Sequence, residues 1–423
     1  MAVACSIARV KRELFADVPI AECFNQGVRD HALKWRERLL PPLVTLKLFM
    51  LQVLHGNTSI AHLRRLSGIG FAPASYCEAR ARLPLAVLTS LLTSLVEWAR
   101  QTSAVTAGSA TSLAQRIFIV DCSNFSMSDS AELRKHFHLP QGTKKGIGYP
   151  LATVMGLLDA ASGLFVQMIC TPLFLHDMSM VSQVHDALKI GDILLGDRAY
   201  CSYAHFALLN AQGVFACFRL HQMRQEQNGH GMMRWQRPKQ IPKWMSRAQF
   251  LALPEWLDVR LASYTVIQKG FRSGRVTIAT TLLDERAWPD SKLAELYQQR
   301  WQIEGCFNHL KTTMKMNVLK CKSVEGVMKE LAVYLIVYNL VRLAMLRAAQ
   351  QQAVSVGRIS FIDALRWLAC RMLGLSGVNR LWINPRRIDR WEPRVIRRRI
   401  KPYDLLTRPR AELKKAVESG VNC

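Results

Sequence analysis

Arg116-Ile117-Phe118-Ile119-Val120-Asp121 is the stretch on which the reading of the fold turns: four consecutive β-favouring apolar residues closed by an acid. Asp192-Ile193-Leu194-Leu195-Gly196-Asp197 repeats the pattern some seventy residues on. Continuous apolar runs of this length suit strands covered on both faces. Between the two lie strand-like runs at Leu151–Leu158 and Leu164–Thr171. They flank Asp159-Ala160-Ala161-Ser162-Gly163, which has hairpin-turn chemistry. A helix is expected over Met178–Leu188, another over Tyr203–Gln212, and a last strand over Val214–Phe218.

Three strands in succession, followed by strands alternating with helices, is the order of a ribonuclease-H-like α/β sheet, with strands 1–3 antiparallel in a mixed sheet. In such a sheet the first and fourth strands are neighbours. Asp121 and Asp197, at their carboxyl ends, would then face each other across one strand spacing of about 4.8 Å. Two carboxylates that close repel unless a cation neutralises them. A pair of Mg2+ ions would do so and could drive an in-line phosphoryl transfer, with Mn2+ able to substitute. The plainer reading of each Asp is a turn or a helix cap.

A third carboxylate comes from the helical run SKLAELYQQRWQIEGCFNHLKTTMKMNVLK, Ser291–Lys320. Tyr297, Arg300, Glu304 and Lys311 stand at offsets 0, 3, 7 and 14, which places them within about 60° on one face of a helix. Leu293, Leu296, Ile303, Phe307 and Leu310 recur on another side. The helix can therefore dock on a core and present a phenol, a guanidinium, a carboxylate and an ammonium to a cleft. Taken alone, the stripe equally fits solvated charge decoration.

Composition points to a polyanionic partner. Among 423 residues, Lys+Arg number 57 against 31 Asp+Glu, a formal net charge of +26. Nucleic acid is the partner such an excess most often serves, ahead of acidic membrane surfaces. With 50% hydrophobic residues the chain can build sizeable cores. The 11 cysteines form no C-x-x-C pair, so neither disulfides nor structural zinc is expected. Arg9, Lys11 and Arg12 precede any long apolar run, and the stretches Leu43–Leu54 and Leu331–Leu346 are broken by Lys47 and Arg342. A soluble cytoplasmic protein without a membrane span is expected.

Residues 1–105 read as a helical N-terminal domain. A helix after Pro41-Pro42 precedes a helix, Gly-rich turn, basic helix outline over 57–82, which suits a helix-turn-helix or simply a packed bundle. Residues 104–115 suit a linker. The catalytic region is expected over 116–320, interrupted at about 219–287 by a β-rich insertion. That insertion carries Trp235 and Trp244 among basic residues and strand-like runs at Val259–Ile267 and Arg275–Leu283. Residues 321–423 form a helical C-terminal region, with an apolar helix over Glu330–Arg347. They end in a basic tail bearing Arg386, Arg387, Arg390, Arg394, Arg397, Arg398, Arg399, Lys401 and Arg408. The tail reads either as solvated or as a phosphate-contacting segment.

Three segments resemble the insertion-sequence transposases of the DDE class, in the IS-four group marked by a Tyr-Arg-Glu-Lys signature. They are Val120–Phe125, Gly196–Tyr203, and Tyr297-x2-Arg300-x3-Glu304-x6-Lys311. The resemblance implies that Asp121, Asp197 and Glu304 are the catalytic and metal-binding triad. It also implies that Tyr297, Arg300 and Lys311, with Arg198 beside the second Asp, contact DNA. Hairpin-forming members of that group seat a flipped base on an aromatic side chain of the insertion, for which Trp235 and Trp244 are the candidates, each also suited to the insert core. The implied activity is strand cleavage at the element's terminal inverted repeats and transfer into target DNA by a homodimer holding two ends. A nuclease that does not join, and a transposase-derived DNA-binding regulator, remain alternatives. The chain departs from the group at Cys122 and Ala199, where glycines are usual.

Overall fold

The computed structural model describes residues 18–31, 38–101, 115–140, 148–173, 177–221, 230–266, 274–375, 380–385, 408 and 410–419. Most of the 104–115 linker and all of the basic tail except Arg408 lie outside the described residues. Five helices come first: α1 (Ile20–Asp30), α2 (Pro42–Leu54), α3 (Ile60–Ser67), α4 (Pro73–Arg82) and α5 (Leu85–Gln101). Local chemistry sets their ends. Pro42 occupies the first turn of α2, the Ser59 hydroxyl accepts from the His62 N–H at 3.2 Å, and Gly68 closes α3 at φ 65°. Helix α2 is buried on every side from Val44 to Leu54, so it is an internal helix that needs partners all round.

The sheet begins with β1 (Ile117–Met127), which continues six residues past Asp121 where the sequence reading ended the strand. After α6 (Ala131–Phe137), β2 (Leu151–Asp159) and β3 (Phe165–Pro172) form the expected hairpin, with Gly163 at φ 68° in its turn. A single helix was expected over 178–188. The chain instead makes a short α7 (Asp177–Met180) that tightens into a 3-10 segment, Val181–Ala187. Next come β4 (Ile193–Gly196), α8 (Tyr203–Ala211), β5 (Phe215–Arg219), β6 (Gly231–Gln236), α9 (Arg247–Leu251), β7 (Trp256–Val266) and β8 (Gly274–Thr280).

Strand β1 pairs antiparallel with β2 and parallel with β4; β2 pairs antiparallel with β3, and β4 parallel with β5. The sheet order is β3-β2-β1-β4-β5-β8-β7-β6, so the strands of the 219–287 segment extend this same sheet beyond β5. Alternate residues of β1 serve the two faces. Ile117 and Ile119 enter one core, with the N-terminal helices, while Phe118 and Val120 enter the other, with α8 and the insert.

The run expected as one helix is broken in two places. It comprises α10 (Asp290–Gln298), a 3-10 turn (Gln299–Trp301), α11 (Gln302–Asn308) and a π-helical turn (His309–Thr313). Then β9 (Val318–Leu319) pairs parallel with the far end of β1, and α12 (Val324–Gln351) and α13 (Phe361–Met372) follow. By length and composition α12 could cross a membrane, but 89% of its most apolar window is buried inside the protein, between α5, α2, α13 and β3. Its Asn339, 1% exposed, accepts from the Phe165 N–H at 3.0 Å and donates to the Phe165 carbonyl at 2.9 Å. That pair of bonds closes part of the outer edge of the sheet. The described cysteines are all free thiols.

Candidate active site

Asp121 faces Gly156 across the β1–β2 ladder. The β1–β4 ladder ends at Ile119 opposite Leu195, and two residues further along each strand bring Asp121 level with Asp197. Asp197 is the first residue beyond β4. It caps a 3-10 turn, Arg198–Tyr200, and its carboxylate accepts from the Ala199 N–H at 2.7 Å. The Asp121 carboxylate accepts likewise from Cys122 N–H at 2.8 Å. At both positions where the sequence departs from glycine, the backbone N–H holds the preceding acid. The Cys122 thiol lies 3.3 Å from the Tyr200 hydroxyl, so the departure also ties one acid-bearing segment to the other.

Glu304 arrives on α11, which must lie close to the sheet. Gly156 permits this: a Cβ there would stand 2.7 Å from Phe165 Cε1 and 3.1 Å from Cζ of Phe307, the residue three positions after Glu304. Arg300, 8% exposed, joins the acids. Its Nη1 is 3.9 Å from Asp121 Oδ2, and its Nη2 donates to Glu304 Oε1 at 3.0 Å. Burial pushes the Asp121 carboxyl up to about 6; the Cys122 N–H and Arg300 oppose that rise, while the charges of Asp197 and Glu304 add to it.

The stripe of the helical run does converge on the acids, but it is not the open surface that its spacing suggests. Tyr297 is 3% exposed, and its hydroxyl donates to the Gly196 carbonyl at 3.2 Å, anchoring the strand end before Asp197. Burial raises the Tyr297 phenol far above its ordinary range. Lys311 reaches Ser123 Oγ at 3.2 Å, two residues along β1 from Asp121, and lies 5.2 Å from the centre of the Phe125 ring. Burial lowers its ammonium pKa. Arg198 is half-buried in the 3-10 turn after Asp197.

The insert tryptophans lie elsewhere. Trp235 is 3% exposed and packs edge-on against Phe206, 5.3 Å between ring centres, so its indole is core and not open to a base. Trp244 is half-buried against the same core. An exposed aromatic ring beside Arg300 is that of Trp301, 58% exposed and 4.4 Å from the guanidinium. The sequence carried a signal for it: offset 4 from Tyr297 puts Trp301 on the polar stripe, away from the apolar side.

A buried histidine pair supports the Asp197 loop and has no pattern in the sequence. His205 Nδ1 donates to the Tyr200 carbonyl at 2.9 Å, which leaves its Nε2 to accept from His185 Nε2 at 3.0 Å. Burial pulls the two down to about 3 and about 4, so both rings are neutral at ordinary pH.

Among the described residues no three His, Cys, Asp or Glu side chains converge closely enough to hold a metal ion as they stand. The donor chemistry of Asp121, Asp197 and Glu304 nevertheless suits a hard divalent cation, being all carboxylate oxygen. In this conformation Arg300 supplies the positive charge between Asp121 and Glu304.

The family model described as Transposase DDE domain matches residues 113–340. The chain is 28% identical over 158 residues to Transposase InsG for insertion sequence element IS4 of Escherichia coli (strain K12). That match covers 33% of this chain and 35% of the relative, about a third of its length. A cryo-EM structure of the piggyBac transposase synaptic complex with hairpin DNA is similar at 10% identity and a TM-score of 0.42. It covers 88% of this chain and 80% of that one.

Proposed function

Since the chain belongs to the Transposase DDE domain family, we propose that it is a DNA transposase of an insertion sequence, in the Tyr-Arg-Glu-Lys group, built on a ribonuclease-H-like core. It nicks the ends of its element and joins the freed 3′-OH to target DNA at one site. The observation that carries the reading is the Arg300 guanidinium bridging Asp121 and Glu304, with Asp197 level with Asp121 on the next strand. The strand order β3-β2-β1-β4-β5 supports the core assignment.

Asp121, Asp197 and Glu304 would hold two Mg2+ ions, or Mn2+ in their place, and bound ions would supply charge for an attacking and a leaving oxygen. The protein's own groups do the rest. Arg300 keeps the carboxylates neutralised in the DNA-free protein, and its planar fork suits a phosphate when DNA enters. Lys311 places a second cation along the strand, and Arg198 a third next to Asp197. Tyr297 acts as a positioning residue through the Gly196 carbonyl. Trp301 offers an exposed ring to a base displaced from the end, worth about 1–3 kcal/mol in stacking. The partners are the terminal inverted repeats, target DNA and a second copy of the chain in a synaptic dimer, with the cytoplasm as the site of action.

The test is Mg2+-dependent nicking and joining of duplexes carrying the element's own flanking repeats. Wild type should cut and join. Asp121→Asn, Asp197→Asn and Glu304→Gln should bind the ends with little change and do neither. Cutting without joining would make the protein a nuclease, and binding without cutting by wild type would make it a regulator.

A further inference from the structure

We propose that the cavity between α2, α3, α4 and the start of α12 is a nucleotide-binding site that takes one displaced base, with its phosphate, from the DNA strand lying in the active site. The cavity encloses about 630 Å³, within the range of small-molecule sites. Its wall combines two chemistries. Phe49, Ile60 and Ala81 contribute apolar lining, while Arg80, Lys320 and Lys322 bring three cations to it. The one lining carboxylate, Glu325, is paired with Lys329 at 2.7 Å. Glu330, buried behind the wall, is occupied by the N–H groups of Lys320 and Cys321 and by the Asn57 amide. Among the described residues no ion pair within 4 Å engages Arg80, Lys320 or Lys322, and the charge of Glu330 reaches Arg80 only at longer range.

Arg80 is held in the wall by two rings and an amide. Its guanidinium lies 4.7 Å from the centre of the Phe49 ring and 5.1 Å from that of Tyr76; Nη1 donates to Gln52 Oε1 at 3.3 Å, while the buried Nε has no partner. Lys320 and Lys322 are exposed at the rim, where the Lys320 ammonium donates to the Asn57 carbonyl. A phosphate alone would need the cations and not the apolar lining. A nucleotide uses both.

The position relative to the acids selects a strand of DNA as the source, and this part rests on the transposase reading. Met127 of β1 pairs with Leu319, and Lys320 follows at the cavity rim. From Asp121 to Met127 is six residues, roughly 20 Å at about 3.3 Å each. At about 3.4 Å per nucleotide this is a distance of about six nucleotides. Lys311, bonded to Ser123, stands on the same path.

Cys77 and Cys321 line the cavity and report on its occupancy. Full-length protein is treated with N-ethylmaleimide, and modification of each cysteine is followed by peptide mass spectrometry. The arms are 5′-dAMP, inorganic phosphate, a single-stranded 15-mer and an abasic strand of the same length. The expected result is at least threefold slower modification of Cys77 with the base-bearing strand and with dAMP, no slowing with phosphate or the abasic strand, and loss of protection in Lys322→Glu. Equal protection by phosphate or the abasic strand would reduce the cavity to an anion site and overturn the proposal. So would protection by dAMP but not by the strand, or no protection in any arm. A protein that cuts and joins DNA with Cys77 unprotected refutes the cavity alone; one that protects Cys77 and never cuts refutes the transposase reading alone.

Discussion

Replacing Asp121 by Asn should make the protein more stable while removing its proposed activity. The Asp121 side chain is 21% exposed, and its carboxyl is pushed from an ordinary 3.8 to about 6, chiefly by burial. A carboxyl raised in this way contributes stability that is fully present below pH 3.8 and lost as the pH rises through about 6. At about 1.36 kcal/mol for each pH unit of separation, the ionised group costs the fold roughly 3 kcal/mol above pH 7, and roughly half of that at pH 5. The amide keeps the acceptor for the Cys122 N–H and carries no charge. In EDTA, urea unfolding of Asp121→Asn at pH 7.5 should therefore show a gain approaching 3 kcal/mol over wild type, shrinking by about half at pH 5. A variant less stable than wild type, or a gain that does not change with pH, would refute the argument that burial strains this carboxylate.

Gly156→Ala should destabilise the fold by an overpacking cost of about 1–3 kcal/mol, read as a lower urea midpoint, because the new Cβ would stand 2.7 Å from Phe165 and 3.1 Å from Phe307. Asn339→Leu should cost at least about 2 kcal/mol and speed amide exchange at Phe165, since both backbone groups of Phe165 lose their partner. Trp301→Ala should leave stability within about 0.5 kcal/mol, as its ring is exposed. The same change should weaken end binding in fluorescence anisotropy by about 1–3 kcal/mol, and unchanged affinity would remove Trp301 from the DNA contacts.

What was legible in the sequence is what local pattern encodes. The apolar runs at Ile117–Val120 and Ile193–Leu195 announced strands buried on both faces, and Asp159–Gly163 announced a hairpin turn. The helical offsets put Tyr297, Arg300, Glu304 and Lys311 on one stripe; in the structure Tyr297 bonds to Gly196, Arg300 to Glu304 and Lys311 to Ser123. What escaped depends on contacts distant in sequence. The second half of β1, Cys122–Met127, is polar and broken in pattern, and it becomes strand because β2 and β9 supply its hydrogen bonds. Pairing of β5 with β8 joins residues some sixty positions apart, which no local signal records. Helical spacing also says nothing of burial. Tyr297 and Arg300 are enclosed because the Gly196 carbonyl and the carboxylates of Asp121 and Glu304 give their polar atoms partners inside.

Helix α12 sets a schedule for the newborn chain. The N-terminal helices pack on it, yet α5 ends at Gln101 and α12 begins at Val324, 223 positions later. At about 5–20 residues per second of synthesis, those helices wait roughly ten to forty-five seconds for their partner. Throughout that interval α2, which has no polar side to offer water, leaves uncovered the face that packs on α12. A message truncated before α12 yields a chain in which α2 and α5 lack the helix they pack on.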